Sequence, residues 1–190
     1  MKKALIVTEG KHDAEILQKV LPQEILEKIQ IIPSGGSALS LARTVLVTKQ
    51  IPTVLFVDAD SNNERTILEK QADLNDSLNS VSIGTKFKVF LMVPEMEVLF
   101  LENPDFIKNI SHNHEEFSDF ELELARSNPK KILSQIVDKT DSNSFYQKLF
   151  ADLDDKTLIA MRNHKLIKDL TEFLVSVLDD SQPPSLALKK

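Results

Sequence analysis

The chain has no cysteine, no long apolar run and no excess of positive charge. The lack of cysteine excludes a disulfide framework, a thiolate metal site and a cysteine nucleophile. No stretch approaches the roughly 18–20 apolar residues of a membrane span, and the apolar run before Glu9 is too short for a signal-peptide core. A net charge of −6 disfavours strong, autonomous binding of DNA. We therefore expect a cytoplasmic protein without membrane insertion.

Buried strands alternate with amphipathic helices over the first half of the 190 residues. This alternation is typical of an α/β fold with a parallel sheet, right-handed crossovers and a strand order such as 2-1-3-4. The predicted strands are Lys3–Thr8, the end of Ile25–Ile32, the run from Val54, and Lys86–Val93; the predicted helices are Asp13–Leu21, Ala38–Thr48 and Ser61–Asn79.

The stretch Val54–Asp60 organises this pattern. It reads Val-Leu-Phe-Val-Asp-Ala-Asp, so an apolar strand runs directly into two carboxylates. If the extended conformation persists, Asp58 and Asp60 point to the same face. Two neighbouring carboxylates repel each other unless a cation or a shared proton lies between them, and a hard cation such as Mg2+ is the natural resolution. The alternative is that both residues cap the following helix or lie in a solvated loop.

Acidic residues also follow the other strands. Glu9 comes after the first strand, and Glu95 and Glu97 come after the fourth. Ligands of open parallel sheets bind beyond the carboxyl ends of the strands. If the first and third strands are neighbours, Glu9 converges with Asp58 and Asp60 on one crevice.

These motifs resemble the Toprim domain. The family pattern is Glu-Gly after the first strand and Asp-x-Asp after the third, which Thr8–Asp13 and Asp58–Asp60 match. The resemblance covers residues 3–97. Asp13 matches an acid of the overcoming-lysogenization-defect (OLD) nucleases and small Toprim proteins, and Val93–Glu97 looks like the acidic segment of the OLD-like branch. The ATPase motif Gly-x-x-x-x-Gly-Lys-Ser/Thr is absent, so the chain is not a complete OLD protein.

The resemblance implies a Toprim nuclease that hydrolyses phosphodiester bonds of DNA or RNA. Asp58 and Asp60 would hold Mg2+ or Mn2+, with Glu9 as a further ligand or the general base. A second ion near Asp13, Glu95 or Glu97 would complete a two-metal arrangement. The alternative is a Toprim-like regulatory or nucleic-acid-binding subunit without activity of its own, which acts with a separate ATPase or another partner. A homo-oligomer is a further possible assembly of the chain.

Two pairs of residues are candidates for substrate phosphate. Gly35 and Gly36 could offer backbone N–H groups at a helix start, or they could form a plain turn. Lys130 and Lys131 could contact phosphate, or they could be a solvated lysine pair.

Other candidates also have structural alternatives. Asp13 could serve the helix N-terminus, and Glu97 could be a solvated helix acid. Tyr146, the single tyrosine, is expected to be half-buried on an amphipathic helix and not to act as a nucleophile. His112 and His114 are expected in a solvated loop.

The character of the sequence changes near residue 105. We expect a Toprim-like domain over 1–104, a helical extension packed on it over 105–180, and a flexible tail over 181–190. Ser111–Phe120 reads as a loop or short helices. The predicted helices of the extension are Pro129–Val137, Asp141–Phe150, Asp155–Arg162 and Lys165–Leu178.

Overall fold

A computed structural model describes residues 2–111, 117–137 and 141–179. The loop expected around His112 and His114 and the tail expected over 181–190 lie outside these ranges.

Four parallel strands form the sheet, in the order β2-β1-β3-β4. This order confirms the predicted one, and every strand lies within the segment assigned to it except for the last residue of β2 and the first residue of β3. The central strands are buried because both faces of the sheet are covered, which explains their unbroken apolar sequences. The strands are β1 (Ala4–Thr8), β2 (Ile29–Pro33), β3 (Thr53–Asp58) and β4 (Phe87–Met92).

Two helices cover one face of the sheet: α3 (Ala38–Lys49) and α4 (Glu64–Asn79). Each begins with a side-chain cap: Ser37 accepts from the N–H of Ser40, and Asn63 accepts from the N–H of Thr66. Their buried side chains join one set of strand residues in a single core cluster that includes Leu5, Val7, Leu55, Val57, Val89 and Leu91.

The opposite face is covered by α1 (Lys11–Val20), α2 (Gln23–Leu26) and the helices that follow β4. The buried side chains of those helices share one core cluster with the alternate strand residues, such as Ile6, Phe56 and Phe90. The later elements are a 3₁₀ helix (Met96–Glu102), α5 (Pro104–Ile110), α6 (Asp119–Ser127), α7 (Pro129–Ile136), α8 (Ser142–Ala151), α9 (Asp155–Asn163) and α10 (Lys165–Asp179).

Helix α10 packs on β1 and β4, and α9 packs on α1 and on the 3₁₀ helix. The segment after β4 therefore lies directly against the sheet. Asp141 caps α8 by accepting a hydrogen bond from the N–H of Ser144 at 2.9 Å.

No helix in the described ranges is long and apolar enough to cross a membrane.

Candidate metal centre

The acidic residues gather where β1, β3 and β4 end. Beyond β3 the chain stays hydrogen-bonded to the segment after β4: the N–H of Ala59 donates to Met92 O at 2.7 Å, and that of Asp60 donates to Pro94 O at 2.9 Å. These two bonds hold the Asp-x-Asp turn beside Glu95 and Glu97. The topology thus places acids from three strand ends at one edge of the sheet.

Asp58 is the centre of the group. Burial raises the pKa of its carboxyl to about 8, and repulsion from Asp13, Glu97, Glu9 and Asp60 acts in the same direction. All four neighbours are therefore close enough to interact with Asp58 electrostatically. Such a group is stable as a set of anions only when a cation compensates them.

Asp60 departs from the predicted geometry. The strand ends at Asp58, and Asp60 has a left-handed conformation with φ of 56°. The extended backbone that would direct both carboxylates to one face therefore does not persist. Lys70 on α4 holds the turn: its Nζ donates to Asp60 Oδ2 at 2.9 Å and to Asp58 O at 2.7 Å.

Glu9 and Asp13 approach from the end of β1. Loss of solvent raises the pKa of Glu9; Lys70 opposes this effect, and the charges of Asp60 and Asp13 add to it. Asp13 accepts a hydrogen bond from the N–H of Gly10 at 2.8 Å, so it also serves the start of α1. Asp13 therefore both bonds to the backbone at the start of α1 and lies close enough to Asp58 to raise its pKa.

Glu97 is buried, with 2% of its surface exposed, so the alternative of a solvated helix acid is wrong. Tyr146 donates its hydroxyl hydrogen to Glu97 Oε1, and Lys130 Nζ lies 3.6 Å from the same oxygen. Tyr146 is itself 2% exposed and not half-buried as expected. Its ring stacks on His12 with centroids 3.9 Å apart, which connects Glu97 to the first turn of α1.

Glu95 has a different partner. Its Oε1 accepts a hydrogen bond from the backbone N–H of Lys130 at 2.9 Å, at the N-terminus of α7. Burial raises the pKa of Glu95, while that hydrogen bond opposes the shift. Glu95 therefore docks α7 beside the acidic group.

The phosphate candidates lie on two sides of the centre. Gly35 has a φ of +62° in an exposed turn, and Ser34 joins this turn to β1 by donating to Glu9 O at 3.1 Å. Lys130 and Lys131 are both exposed and line an adjacent cleft of about 380 Å³, and Lys130 also lies near Glu97. A second cleft, of about 220 Å³, opens beside Asp60 and Glu95.

Sequence reasoning missed two residues of the site. Lys70 follows Asp60 by ten positions on a mostly exposed helix, and no motif distinguishes it from the other surface lysines. Tyr146 lies on α8, far from the strand-end motifs in sequence. Its only signal is that it is the single tyrosine of the chain, within an apolar helical stretch.

The donor set fits a hard divalent cation chemically, because every candidate ligand is a carboxylate oxygen. In the part of the chain that the structure describes, no group of three or more His, Cys, Asp or Glu side chains is arranged to hold a metal ion. Asp60 and Glu97 instead pair with Lys70, Lys130 and Tyr146. Binding of a cation would thus require rotation of carboxylates away from these partners.

No family model and no curated protein matches the chain. Solved structures do match. The C-terminal region of the Burkholderia pseudomallei OLD protein has 15% identity and a TM-score of 0.54, covering 94% of this chain and 99% of that one. The C-terminal region of the Xanthomonas campestris pv. campestris OLD protein has 14% identity and a TM-score of 0.38, covering 97% and 90%. The first likeness, together with the sheet topology, confirms the predicted Toprim-like fold.

Proposed function

We propose that this chain is a nuclease that depends on Mg2+ or Mn2+ and hydrolyses phosphodiester bonds of DNA or RNA. One observation carries the proposal: Asp58 stands at a strand end among four other carboxylates, Glu9, Asp13, Asp60 and Glu97. Partly buried acids that lie together repel each other, and a cation bound between them removes this repulsion.

Asp13, Asp58, Asp60 and Glu97 are the proposed ligands, and Glu9 is a further ligand or the general base. A bound divalent cation would supply activation of water and neutralisation of charge on the phosphate oxygens. The raised pKa of Glu9 suits a group that accepts a proton from the attacking water. Lys130 sets a positive charge beside Glu97, where it can contact a phosphate oxygen.

The surroundings of the centre support a polymeric substrate. The cleft beside Asp60 and Glu95 is open, and the cleft lined by Lys130 and Lys131 adjoins it through Glu95. The likeness to the C-terminal region of an OLD protein adds support from analogy. A cytoplasmic location is part of the same proposal, because the chain has no cysteine to form a disulfide.

The test is nicking of supercoiled plasmid and degradation of single-stranded DNA and RNA, each with Mg2+ and with Mn2+. Glu9→Ala and Asp58→Ala should each lower the cleavage rate by at least about a hundredfold, the scale of losing a group that stabilises the transition state. Asp76→Ala is the matched control, since Asp76 is an exposed acid near the end of α4. Cleavage that survives both site substitutions would contradict the proposal.

A second candidate is a Toprim-like subunit that acts with a separate ATPase. The pairing of Asp60 with Lys70 and of Glu97 with Lys130 favours it, because the acids are already partly neutralised without a metal. Cleavage that appears only after a partner ATPase is added would support this candidate over an independent nuclease.

A further inference from the structure

A cleft between α1 and α8 adjoins the proposed metal centre and has no role in the function proposed above. Its volume is about 320 Å³, which is within the range of small-molecule sites. Tyr146 belongs to both places: its ring lines the cleft, and its hydroxyl donates to Glu97. His12 also lines the cleft, one residue before Asp13. A molecule in this cleft would therefore contact Tyr146, which bonds to Glu97, and His12, which precedes Asp13.

The lining combines an aromatic ring with cations and amides. The ring of Phe150 forms one wall, and Lys19 Nζ lies 5.2 Å from its centroid. Gln18, Asn143 and Gln147 add side-chain amides to the lining of the cleft. Aromatic rings stack on nucleobases, and amides bond to the edges of bases.

The charge of the cleft contrasts with the net charge of −6 of the whole chain. Glu15 is the one acid among the described residues that line the cleft, and it already pairs with Lys11 at 3.3 Å and with His12 at 2.9 Å. Lys19 makes no ion pair among the residues that the structure describes, which leaves its charge available to a phosphate.

We propose that the α1–α8 cleft binds one nucleotide of a single-stranded nucleic acid, beside the phosphate that the metal centre cleaves. Lys19 turns from the face of Phe150 to the backbone of the bound strand, the base takes its place on the ring, and Lys11 makes a second backbone contact. A paired base could not present its face to Phe150, so the cleft selects single strands or frayed ends. This inference rests on the proposed nuclease function and assigns its substrate.

The chain provides its own probe for this site. Tyr146 is the single tyrosine and there is no tryptophan, so the intrinsic fluorescence comes from a residue that lines the cleft. We expect a short oligothymidylate, added at low salt with a chelator present to prevent cleavage, to quench Tyr146. The same oligonucleotide, labelled with fluorescein and measured by fluorescence anisotropy, should give the same Kd as the quenching of Tyr146.

Two substitutions test the contacts. Phe150→Leu keeps apolar bulk against the core but removes the ring, and Lys19→Gln removes an exposed charge. Each should weaken binding by about fivefold or more, because the first variant loses a base stacked on an aromatic ring and the second loses a contact with a phosphate. Lys49→Gln is the control, since Lys49 is an exposed lysine on α3, which covers the other face of the sheet.

Failure of this inference can be told apart from failure of the nuclease proposal. Asp58→Ala should abolish cleavage and still bind the oligonucleotide with quenching of Tyr146. No binding by the wild-type protein, an anisotropy change without quenching, or unchanged affinity in both cleft variants would overturn the cleft assignment. Binding through the cleft without cleavage under any metal would uphold the cleft and refute the nuclease.

Discussion

At the scale of single residues, the candidate site is governed by Asp58. Its side chain is half-buried, and the charges that raise its pKa are those of Asp13, Glu97, Glu9 and Asp60. Lys70 bonds to the carbonyl oxygen of Asp58 and to the carboxylate of Asp60. Among the described residues, no cation pairs with the carboxylate of Asp58, so we expect this group to respond to pH and to metal.

Asp58→Asn should stabilise the metal-free protein at pH 8 by about 1–3 kcal/mol, because it removes a carboxylate that is buried among like charges. Burial and repulsion raise the folded-state pKa of Asp58 from the ordinary 3.8 to about 8. Between pH 3.8 and about pH 8, Asp58 is protonated in the folded state and ionised in the unfolded state. The free energy of unfolding of the wild type therefore falls as the pH rises through this window, and the fall should be shallower in the variant.

Urea denaturation with a chelator, over the range from about pH 4 to pH 9, measures this difference. Asp60→Asn is the matched control: it breaks an exposed ion pair with Lys70, whose loss is worth at most about 1 kcal/mol. It should leave most of the slope with pH in place, because Asp60 is the weakest of the four acids that raise the pKa of Asp58. An Asp58→Asn variant that is less stable than the wild type at pH 8 would contradict the electrostatic account of the site.

At the scale of elements, helix α7 completes the acidic edge. Glu95 bonds to the first turn of α7, and that turn directs the side chain of Lys130 to Glu97. Helix α8 brings Tyr146 to the same carboxylate. Two helices that follow the sheet in sequence thus supply the partners of an acid that the sheet positions.

Glu95→Ala should destabilise the docking of α7 by about 0.5–2 kcal/mol, the usual cost of losing a side-chain cap. The amide hydrogen of Lys130 should then exchange faster with solvent, while amides of β1 and β3 keep their protection. Glu95→Gln, which retains an acceptor oxygen, should keep most of the protection. Equal exchange at Lys130 in the wild type and in Glu95→Ala would show that this contact does not hold α7.

The elements also show what the sequence could predict. The strands were predictable because an unbroken apolar run reflects burial on both faces. Helices α1, α3 and α4 were predictable because helical periodicity reflects burial on one face. The 3₁₀ helix Met96–Glu102 was missed because its residues from Met96 to Leu101 are all buried, which leaves no periodic signal. Helices α2 and α5 were also missed, because each is short: α2 is a single turn, and α5 is two turns that begin after Asn103. The left-handed turn at Asp60 has no signal in residue type, since aspartate also accepts extended backbone.

At the scale of the whole molecule, one core cluster joins the sheet to the helices from α5 onward. Phe56 and Phe90 of the strands stack with centroids 6.1 Å apart, and Phe90 meets Phe173 of α10 at 6.4 Å. Helix α9 connects back to α1 through Arg162, whose Nε donates to Val20 O at 2.8 Å. The apolar stripes of these helices therefore face partners that belong to the first half of the chain.

We predict that a fragment of residues 105–178 does not fold by itself, because its helices are short and lose the sheet that buries their apolar stripes. Circular dichroism of the isolated fragment should show weak helicity and a thermal change without a cooperative midpoint. The full chain, measured under the same conditions, should unfold cooperatively. A cooperative transition in the fragment would mean that these helices form an independent domain.

The central claim is that the carboxylates around Asp58 share a divalent cation, and a crystal soaked with Mn2+ tests it most directly. The anomalous map should show Mn2+ at the carboxyl edge of the sheet, about 2.0–2.6 Å from oxygens of Asp58 and at least one of its acidic neighbours. A matched Asp58→Asn crystal should lose or weaken this peak. Mn2+ bound elsewhere on the molecule, with none at Asp58 in the wild type, would contradict the account.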